Sequence, residues 1–213
     1  RVEHDVEEIW RNVASIVPAA LRRAGLGPEN IAALGIANQR ETTVIWNRHT
    51  GLPLARAITW QDTRTDGIVA RLTAEGHGEL FSSVCGLAPA TYFAGPRLRW
   101  LLDNVPGARA GAERGDVLFG TMETWLIWHL TGGPDGGMHV TDVTNASRTM
   151  MMDIRSREWS PKLLEALDVP ERMLPRIRPN AEVYGTCTAV LPGVPVAGAL
   201  GDQQAALVGQ TCF

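Results

Sequence analysis

The sequence lacks the features that mark several common classes of protein. No run approaches the ~18 apolar residues of a membrane span, and the charged start of the chain lacks the apolar stretch of a secretory signal. Its three cysteines show no close pairing, which argues against a disulfide framework and against a zinc site. We therefore expect a cytoplasmic protein that does not associate with membranes.

A strong excess of charge is also missing. The net charge is -3, with acidic and basic residues interspersed along the chain. This distribution gives no electrostatic basis for binding nucleic acid or an anionic surface. The chain has no Walker A pattern, no G-x-G-x-x-G and no histidines at metal-ligand spacing. The sequence therefore predicts neither a familiar phosphate loop nor a metal site.

The composition itself is that of an ordinary globular domain. Apolar residues make up 45% of the 213 residues and charged residues 20%, which suits a chain that buries a sizeable core. Helical and strand-like patterns follow one another in mixed order, so we expect an α/β fold. The chain has no initiator Met and stops just after a helix-like stretch. We expect both ends to be cuts through a larger protein.

Apolar spacing predicts the main elements. Residues 6–21 have apolar side chains three and four positions apart, which indicates an amphipathic helix that ends at Gly25. Three apolar or β-branched runs predict a meander of strands with a hairpin turn before the third: 31–37, 42–46 and 54–58. Further helices are expected at four places: 65–72, 96–103, 161–167 and after Thr121. Proline-rich residues 168–195 are expected to be mostly loop, followed by a strand at 194–200 and a helix at 203–208.

The polar segment NQRET at residues 38–42 lies between two strand-like runs. Arg40 offers a fork of donors and Glu41 supplies acceptors, so together they can bind hydroxyl groups. Adjacent residues of a strand point to opposite faces, so both reach one ligand only where the backbone bends or the strand ends. For this segment alone, an ion pair or a solvated strand end is the more common explanation.

Two aromatic residues, Trp60 and Tyr92, are further candidates for contact with a ligand. Trp60 comes at the end of the third strand-like run, where its ring can pack on the C–H groups of a polyol while its N–H reaches a polar group. Tyr92 can donate its hydroxyl to a substrate hydroxyl. For Trp60 alone, the more frequent alternative is a core tryptophan at a strand end. For Tyr92 alone, it is an ordinary, partly buried aromatic residue.

The last candidate segment joins a strand to a helix at Gly201 and Asp202. In open α/β sheets, ligands gather beyond the carboxyl ends of the strands. A carboxylate there can take a proton from an attacking hydroxyl. Asp202 would equally serve as the N-cap of the following helix. The two roles compete for the same oxygen atoms but do not exclude each other.

Six segments together carry a family resemblance: VEHD at 2–5, GIANQRET at 35–42, AITWQDTRT at 57–65, LFGTMETWLIW at 118–128, TDVTNASRTM at 141–150 and GDQQAAL at 201–207. In this order and at these separations, they resemble the glycerol kinases of the FGGY carbohydrate-kinase family. The resemblance covers essentially the whole chain. It implies a ribonuclease H-like (actin-like) domain with a mixed sheet and flanking helices, truncated at both ends.

The resemblance also implies roles for particular residues. Residues 1–213 would form most of the glycerol-binding N-terminal domain, and an ATP-binding C-terminal domain would lie outside this chain. Asp202 would be the general base, and Gln203 would help to hold the substrate. The implied contacts of glycerol are Arg40, Glu41, Trp60, Tyr92, Asp202 and Gln203.

The implied reaction transfers the γ-phosphate of ATP to a terminal hydroxyl of glycerol and gives glycerol 3-phosphate. ATP and Mg²⁺ would bind mainly through parts outside this chain, so the chain alone is expected to be inactive. The full-length protein is expected to form a homo-oligomer, a dimer or a tetramer. Two alternatives are another FGGY kinase that acts on a sugar or longer polyol, and a non-catalytic actin-like binding module. The presence of Asp202 together with the polyol-site residues argues against the module.

Overall fold

The computed structural model describes residues 1–212. Within them the helices are α1 (Val6–Ala24), α2 (Asp66–Ala74), α3 (Gly78–Val84), α4 (Ala94–Asn104), α5 (Ala108–Arg114), α6 (Met122–Leu130), α7 (Val143–Ala146), α8 (Pro161–Leu167) and α9 (Asp202–Gly209). The strands are β1 (Glu3–His4), β2 (Leu34–Asn38), β3 (Val44–Asn47), β4 (Ala57–Ile58), β5 (Val117–Gly120), β6 (Val140–Asp142), β7 (Arg176–Arg178), β8 (Ala181–Thr186) and β9 (Pro195–Gly201). None of these helices is long and apolar enough to cross a membrane.

A three-stranded sheet of order β2-β9-β8 brings distant parts of the chain together. Strands β2 and β9 are parallel, and Asn38 pairs with Gly201 at their ends. Strand β8 runs antiparallel to β9. Because parallel neighbours end at the same edge of a sheet, the segments that follow Asn38 and Gly201 emerge side by side.

The meander predicted over residues 31–59 is wrong in its first pairing. Strand β2 pairs with β9, and β3 pairs antiparallel with β5. The predicted hairpin does form, through bridges from Thr43 to Ile58 and from Trp46 to Pro53. Local sequence patterns identify a turn between neighbouring runs, but they do not identify a partner strand more than a hundred residues away.

The segment 168–195, predicted to be mostly loop, contains two strands, β7 and β8. Pro175 and Pro179 lie immediately on either side of β7. Proline cannot donate to a sheet, so it is confined to the ends and edges of strands. The prolines therefore mark strand boundaries, and the prediction of loop was wrong because a high proline content does not exclude strands between the prolines.

The first helix agrees with the sequence pattern at both ends. The Asp5 carboxylate accepts from the Glu8 N–H at 3.0 Å, and the helix ends at Gly25, whose φ is 69°. A left-handed conformation is easily adopted by glycine and is typical of a helix C-terminus. Trp10 and Leu21 pack against the apolar cluster beneath β8 and β9.

An aromatic group centred on Trp46 fills the core beneath β3 and β5. The Trp46 ring is buried, 5.4 Å from the ring of Trp125 and 5.7 Å from the ring of Trp128. His139 packs edge-on against Trp46 at 5.5 Å, and its Nε2 lies 2.7 Å from the Phe119 carbonyl oxygen. This environment is apolar, so it disfavours a charged imidazole.

We expect two half-buried histidines, His139 and His129, to make the free energy of unfolding depend on pH. Burial lowers the pKa of His139, and likewise of His129, from the usual 6.5 to about 4. Between these values the unfolded chain binds more protons than the folded protein, so the free energy of unfolding falls as the pH falls from about 6.5 towards 4. His139→Gln should reduce this slope by up to ~1.4 kcal/mol per pH unit, which urea unfolding at several pH values would measure.

Gln is a suitable replacement because its side-chain nitrogen can still donate to the Phe119 carbonyl. Burial raises the pKa of Glu123 and acts on the slope in the opposite direction, but it does so in every variant. His49→Gln is the control for the substitution itself, because His49 is exposed on the hairpin turn and lies outside the aromatic core. Equal slopes in wild type and His139→Gln would show that His139 does not contribute.

Candidate active site

A cavity of about 500 Å³ opens beside the carboxyl ends of β2 and β9. Six residues singled out from the sequence all line it: Arg40, Glu41, Trp60, Tyr92, Asp202 and Gln203. Five further residues complete the lining: Gln39, Gln61, Thr63, Thr91 and Arg148. The cavity lies where ligands usually bind in open α/β sheets, beyond the carboxyl ends of parallel strands.

The backbone turns sharply at Glu41. Its φ of 62° lies in the left-handed region, which residues other than glycine rarely adopt. The Thr43 hydroxyl donates to the Glu41 carbonyl at 2.9 Å, and the Thr42 N–H donates to the Arg40 carbonyl at 2.7 Å. This is the bend that the sequence required if Arg40 and Glu41 were to face one ligand. Strained backbone of this kind is concentrated at functional sites.

Arg40 and Asp202 meet across the cavity. Arg40 Nε lies 3.5 Å from Asp202 Oδ1, and the Asp202 side chain is 53% exposed. The Arg40 side chain crosses directly over Gly201, where a Cβ would lie 2.3 Å from Arg40 Cδ. Glycine at position 201 is therefore needed for this approach.

The position of Asp202 at the start of α9 refines the expectation of an N-cap. Gly201 is the N-cap residue, and Asp202 is the first residue of the helix. Asp202 Oδ1 accepts from the Gln203 N–H at 2.9 Å, so the carboxylate still satisfies one N–H of the first turn. Within residues 1–212 both contacts of this carboxylate use Oδ1, which leaves Oδ2 for a ligand.

Trp60 and Tyr92 form aromatic walls of the cavity. Trp60 is 45% exposed, so the alternative of a core tryptophan at a strand end is wrong. Tyr92 is 42% exposed and therefore partly buried, with its ring on the cavity wall. Large exposed aromatic side chains in a concave site are well suited to cover the C–H groups of a small ligand.

Arg148 is a cavity residue that the sequence did not single out. Its Nε donates to Glu41 Oε1 at 2.6 Å, across 107 positions of sequence. Its guanidinium also lies 4.7 Å from the ring centre of Phe93 and 5.5 Å from that of Tyr92. Arg148 therefore holds the Glu41 carboxylate by one oxygen, and within residues 1–212 the other oxygen has no hydrogen-bond partner.

Arg97, on α4, was also missed, and it supports the cavity from below. It is fully buried. Its Nη1 donates to the carbonyl oxygens of Tyr92 at 2.7 Å and Glu41 at 3.4 Å, and its Nη2 donates to that of Trp60 at 2.7 Å. Burial lowers the pKa of Arg97 to about 10, so the guanidinium keeps its charge at neutral pH. One side chain thus connects the three segments that carry Glu41, Trp60 and Tyr92.

Comparison with known proteins identifies the family. A family model described as the N-terminal domain of the FGGY family of carbohydrate kinases matches residues 1–209. The chain belongs to this family. The glycerol kinase of Chloroflexus aurantiacus is 58% identical over 212 residues, which cover 100% of this chain and 43% of that protein. The glycerol kinase of Methylobacterium radiotolerans is 56% identical, with 42% of its length covered. This FGGY chain therefore spans less than half the length of these relatives.

Solved structures agree with this assignment. A Plasmodium falciparum glycerol kinase with ADP matches with a TM-score of 0.92 and 33% identity, over 99% of this chain and 42% of that chain. A ligand-bound xylulose kinase from Lactobacillus acidophilus has a TM-score of 0.84 at 19% identity, over 98% of this chain and 41% of that chain, which shows the fold alone. The predicted fold class, an actin-like α/β domain with a mixed sheet and flanking helices, is confirmed.

Proposed function

We propose that the protein to which this chain belongs is a glycerol kinase, which transfers the γ-phosphate of ATP to a terminal hydroxyl of glycerol. The observation that carries the proposal is the cavity itself, where an exposed carboxylate lies among hydrogen-bonding and aromatic side chains suited to a polyol. Identity of 58% to a glycerol kinase, over all of this chain, supports glycerol as the acceptor.

Glycerol is small and uncharged, and each of its hydroxyls both donates and accepts. Arg40 provides donors for these hydroxyls, and the free oxygen of Glu41 provides an acceptor. Trp60 and Tyr92 cover the carbon chain, with the tyrosine hydroxyl as a further polar contact. Gln203 offers an amide beside the reacting end, at the start of α9. These contacts would fix which hydroxyl faces Asp202.

Asp202 is the proposed general base. Its carboxylate accepts the proton of a terminal hydroxyl while that oxygen forms a bond to the γ-phosphorus and the bond from this phosphorus to the bridging oxygen of ADP breaks. The products are glycerol 3-phosphate and ADP. The exposed position of the carboxylate beside Arg40 is compatible with this role, because the base must reach both substrate and phosphoryl donor.

ATP is the second substrate, and Mg²⁺ is the metal expected with it. Among residues 1–212 no three His, Cys, Asp or Glu side chains group together as metal ligands. Mg²⁺ is usually bound by one or two carboxylates together with phosphate oxygens and water. Because Asp202 is the proposed base, the carboxylates that would hold Mg²⁺ are expected mainly outside this chain. The metal would offset charge on the phosphoryl oxygens. We assign no residue of this chain to the nucleotide.

A coupled assay of ADP release on the intact protein tests the proposed function. We expect kcat/KM for glycerol to exceed that for xylulose, gluconate or ribitol by at least ~10²-fold, because a site built to pair particular hydroxyls discriminates strongly. Preferred turnover of a sugar would identify another FGGY kinase instead. Glycerol binding without turnover of any acceptor would favour a non-catalytic module.

Replacement of Arg148 tests whether its ion pair with Glu41 supports glycerol binding. Arg148→Met keeps a long side chain over the aromatic rings but removes the partner of a carboxylate in a residue that is only 7% exposed. The loss of one partner from a shielded charge pair is costly. We therefore expect the Kd for glycerol, measured by titration calorimetry, to rise by about tenfold or more.

Arg155→Met is the matched control, because Arg155 is exposed and lies outside the cavity. It should leave the Kd for glycerol unchanged. If Arg148→Met binds glycerol as tightly as wild type, the ion pair only organises the empty cavity and does not contribute to binding.

A further inference from the structure

A network of buried polar residues lies behind the cavity and does not line it. Glu123, Asp142 and Asn145 are fully buried, and Asn38 is 8% exposed. Polar groups in a core are costly unless each is hydrogen-bonded. This network therefore calls for a structural or functional explanation beyond the contacts of the substrate.

At one end of the network, the Glu123 carboxylate is surrounded by donors. Its Oε2 accepts from Asn38 Nδ2 at 3.0 Å. Burial and the nearby charge of Asp142 raise the pKa of Glu123. Its Oε1 accepts from three hydroxyls, at 2.7 to 2.9 Å: Thr121, Thr124 and Thr141.

A pair of amides links this carboxylate to Asp142. Asn38 Nδ2 donates to Asn145 Oδ1 at 2.9 Å, and Asn145 Nδ2 donates back to Asn38 Oδ1 at 3.1 Å. Asn145 Nδ2 also donates to Asp142 Oδ1 at 2.6 Å. Asn38 is the last residue of β2, so the network is attached directly to the segment that carries Arg40 and Glu41.

Thr144 connects the other end of the network to β9. Its hydroxyl donates to Asp142 Oδ2 and accepts from the Gly201 N–H at 2.8 Å. Asp142 Oδ2 is held in turn by Asn180 Nδ2 at 2.7 Å. The hydroxyl therefore uses its donor and an acceptor to hold the residue that precedes Asp202.

We propose that Thr144 is a positioning residue for Asp202, because its hydroxyl links the Gly201 N–H to the Asp142 carboxylate. This inference rests on the proposed function, in which Asp202 is the base. Asn38 and Gly201 are register partners at the ends of β2 and β9, and the network holds both. It thereby fixes how far Asp202 lies from Arg40 and from the substrate. Small displacements of a catalytic group reduce turnover strongly.

Thr144→Val in the intact protein tests the role, because valine has nearly the shape of threonine but lacks the hydroxyl. The Gly201 N–H loses its partner, and Asp142 Oδ2 loses one donor. We expect kcat for glycerol to fall by about 10- to 100-fold while KM stays within about threefold, since the residues that bind glycerol are intact. Thr144→Ser restores the hydroxyl and should recover kcat to within a few-fold.

Amide hydrogen exchange gives a readout that does not depend on catalysis. The Gly201 amide should be protected in wild type and in Thr144→Ser, and it should exchange at least tenfold faster in Thr144→Val. If the valine variant does not fold, Thr144→Ala takes its place, with the same expected split between kcat and KM and the same loss of protection.

The outcomes separate the two proposals. If wild type phosphorylates glycerol and Thr144→Val keeps wild-type kcat, the positioning role is overturned while the proposed function stands. A fall in kcat together with a large rise in KM in Thr144→Val, without recovery in Thr144→Ser, also overturns the positioning role, because that pattern indicates a general structural defect. If wild type phosphorylates no polyol, the proposed function fails. If the Gly201 amide stays protected in Thr144→Val, the Thr144 hydroxyl does not hold this amide, and the positioning role fails as well.

Discussion

Asp202→Asn is expected to lower kcat for glycerol by ~10²–10⁴-fold, the usual contribution of a general base, while glycerol still binds. An amide cannot take up the proton of the attacking hydroxyl. It has nearly the size of the carboxylate, and its oxygen can still accept from the Gln203 N–H, so the start of α9 should be preserved. Steady-state kinetics on the intact protein and calorimetric titration with glycerol measure the two quantities separately.

Asp66→Asn is a matched control for this experiment. Asp66 is likewise the first residue of a helix and is exposed, but it does not line the cavity. It should leave kcat within twofold of wild type, as expected for an exposed surface substitution. Near-wild-type turnover in Asp202→Asn would remove Asp202 from the role of base.

Five of the six site residues were candidates from the sequence pattern, whereas Gln203 was expected only from the family resemblance. The five share a property that a single sequence can reveal. They lie in short polar or aromatic segments next to apolar runs, and such segments often mark the ends of strands. Asp202 is the clearest example, because a strand that turns into a helix through Gly-Asp predicts a ligand position in an open α/β sheet. The structure brings all six residues to one cavity.

Arg97 and Arg148 could not be found in this way. Arg97 and Arg99 lie two positions apart on α4, yet Arg97 is buried while Arg99 pairs with Asp103 at the surface at 2.6 Å. Nothing in the local sequence distinguishes them, because burial depends on packing against distant segments. Arg148 depends in the same way on Glu41, and the Asn38–Asn145 pair on residues 107 positions apart.

The pairing of β2 with β9 shows the same limit at the level of the fold. Both strands were predicted within a few residues of their bounds, but periodicity does not specify a partner. The family resemblance provided the overall architecture that periodicity could not. The candidate site depends on this pairing, since Asn38 and Gly201 are register partners and the cavity opens just beyond them.

Arg97→Met should be the most damaging single change to the framework of the cavity. It leaves the carbonyl oxygens of Glu41, Tyr92 and Trp60 without the guanidinium that now donates to them. A lost hydrogen bond to a charged group costs about 1.5–3 kcal/mol, so we expect a loss of roughly 3–5 kcal/mol in the free energy of unfolding, measured by urea denaturation. The Kd for glycerol should rise by more than tenfold, since all three segments carry proposed glycerol contacts.

Two further variants determine whether the geometry of the guanidinium is the cause. Arg99→Met, on the same helix, removes a partly exposed arginine and should cost no more than about 1 kcal/mol. Arg97→Lys keeps the charge but replaces a planar fork with a single ammonium group, which cannot reach all three carbonyls with the same geometry. It should therefore recover part of the stability and little of the affinity for glycerol. If Arg97→Lys restores both fully, the positive charge alone is sufficient and the fork that connects the three segments is not required.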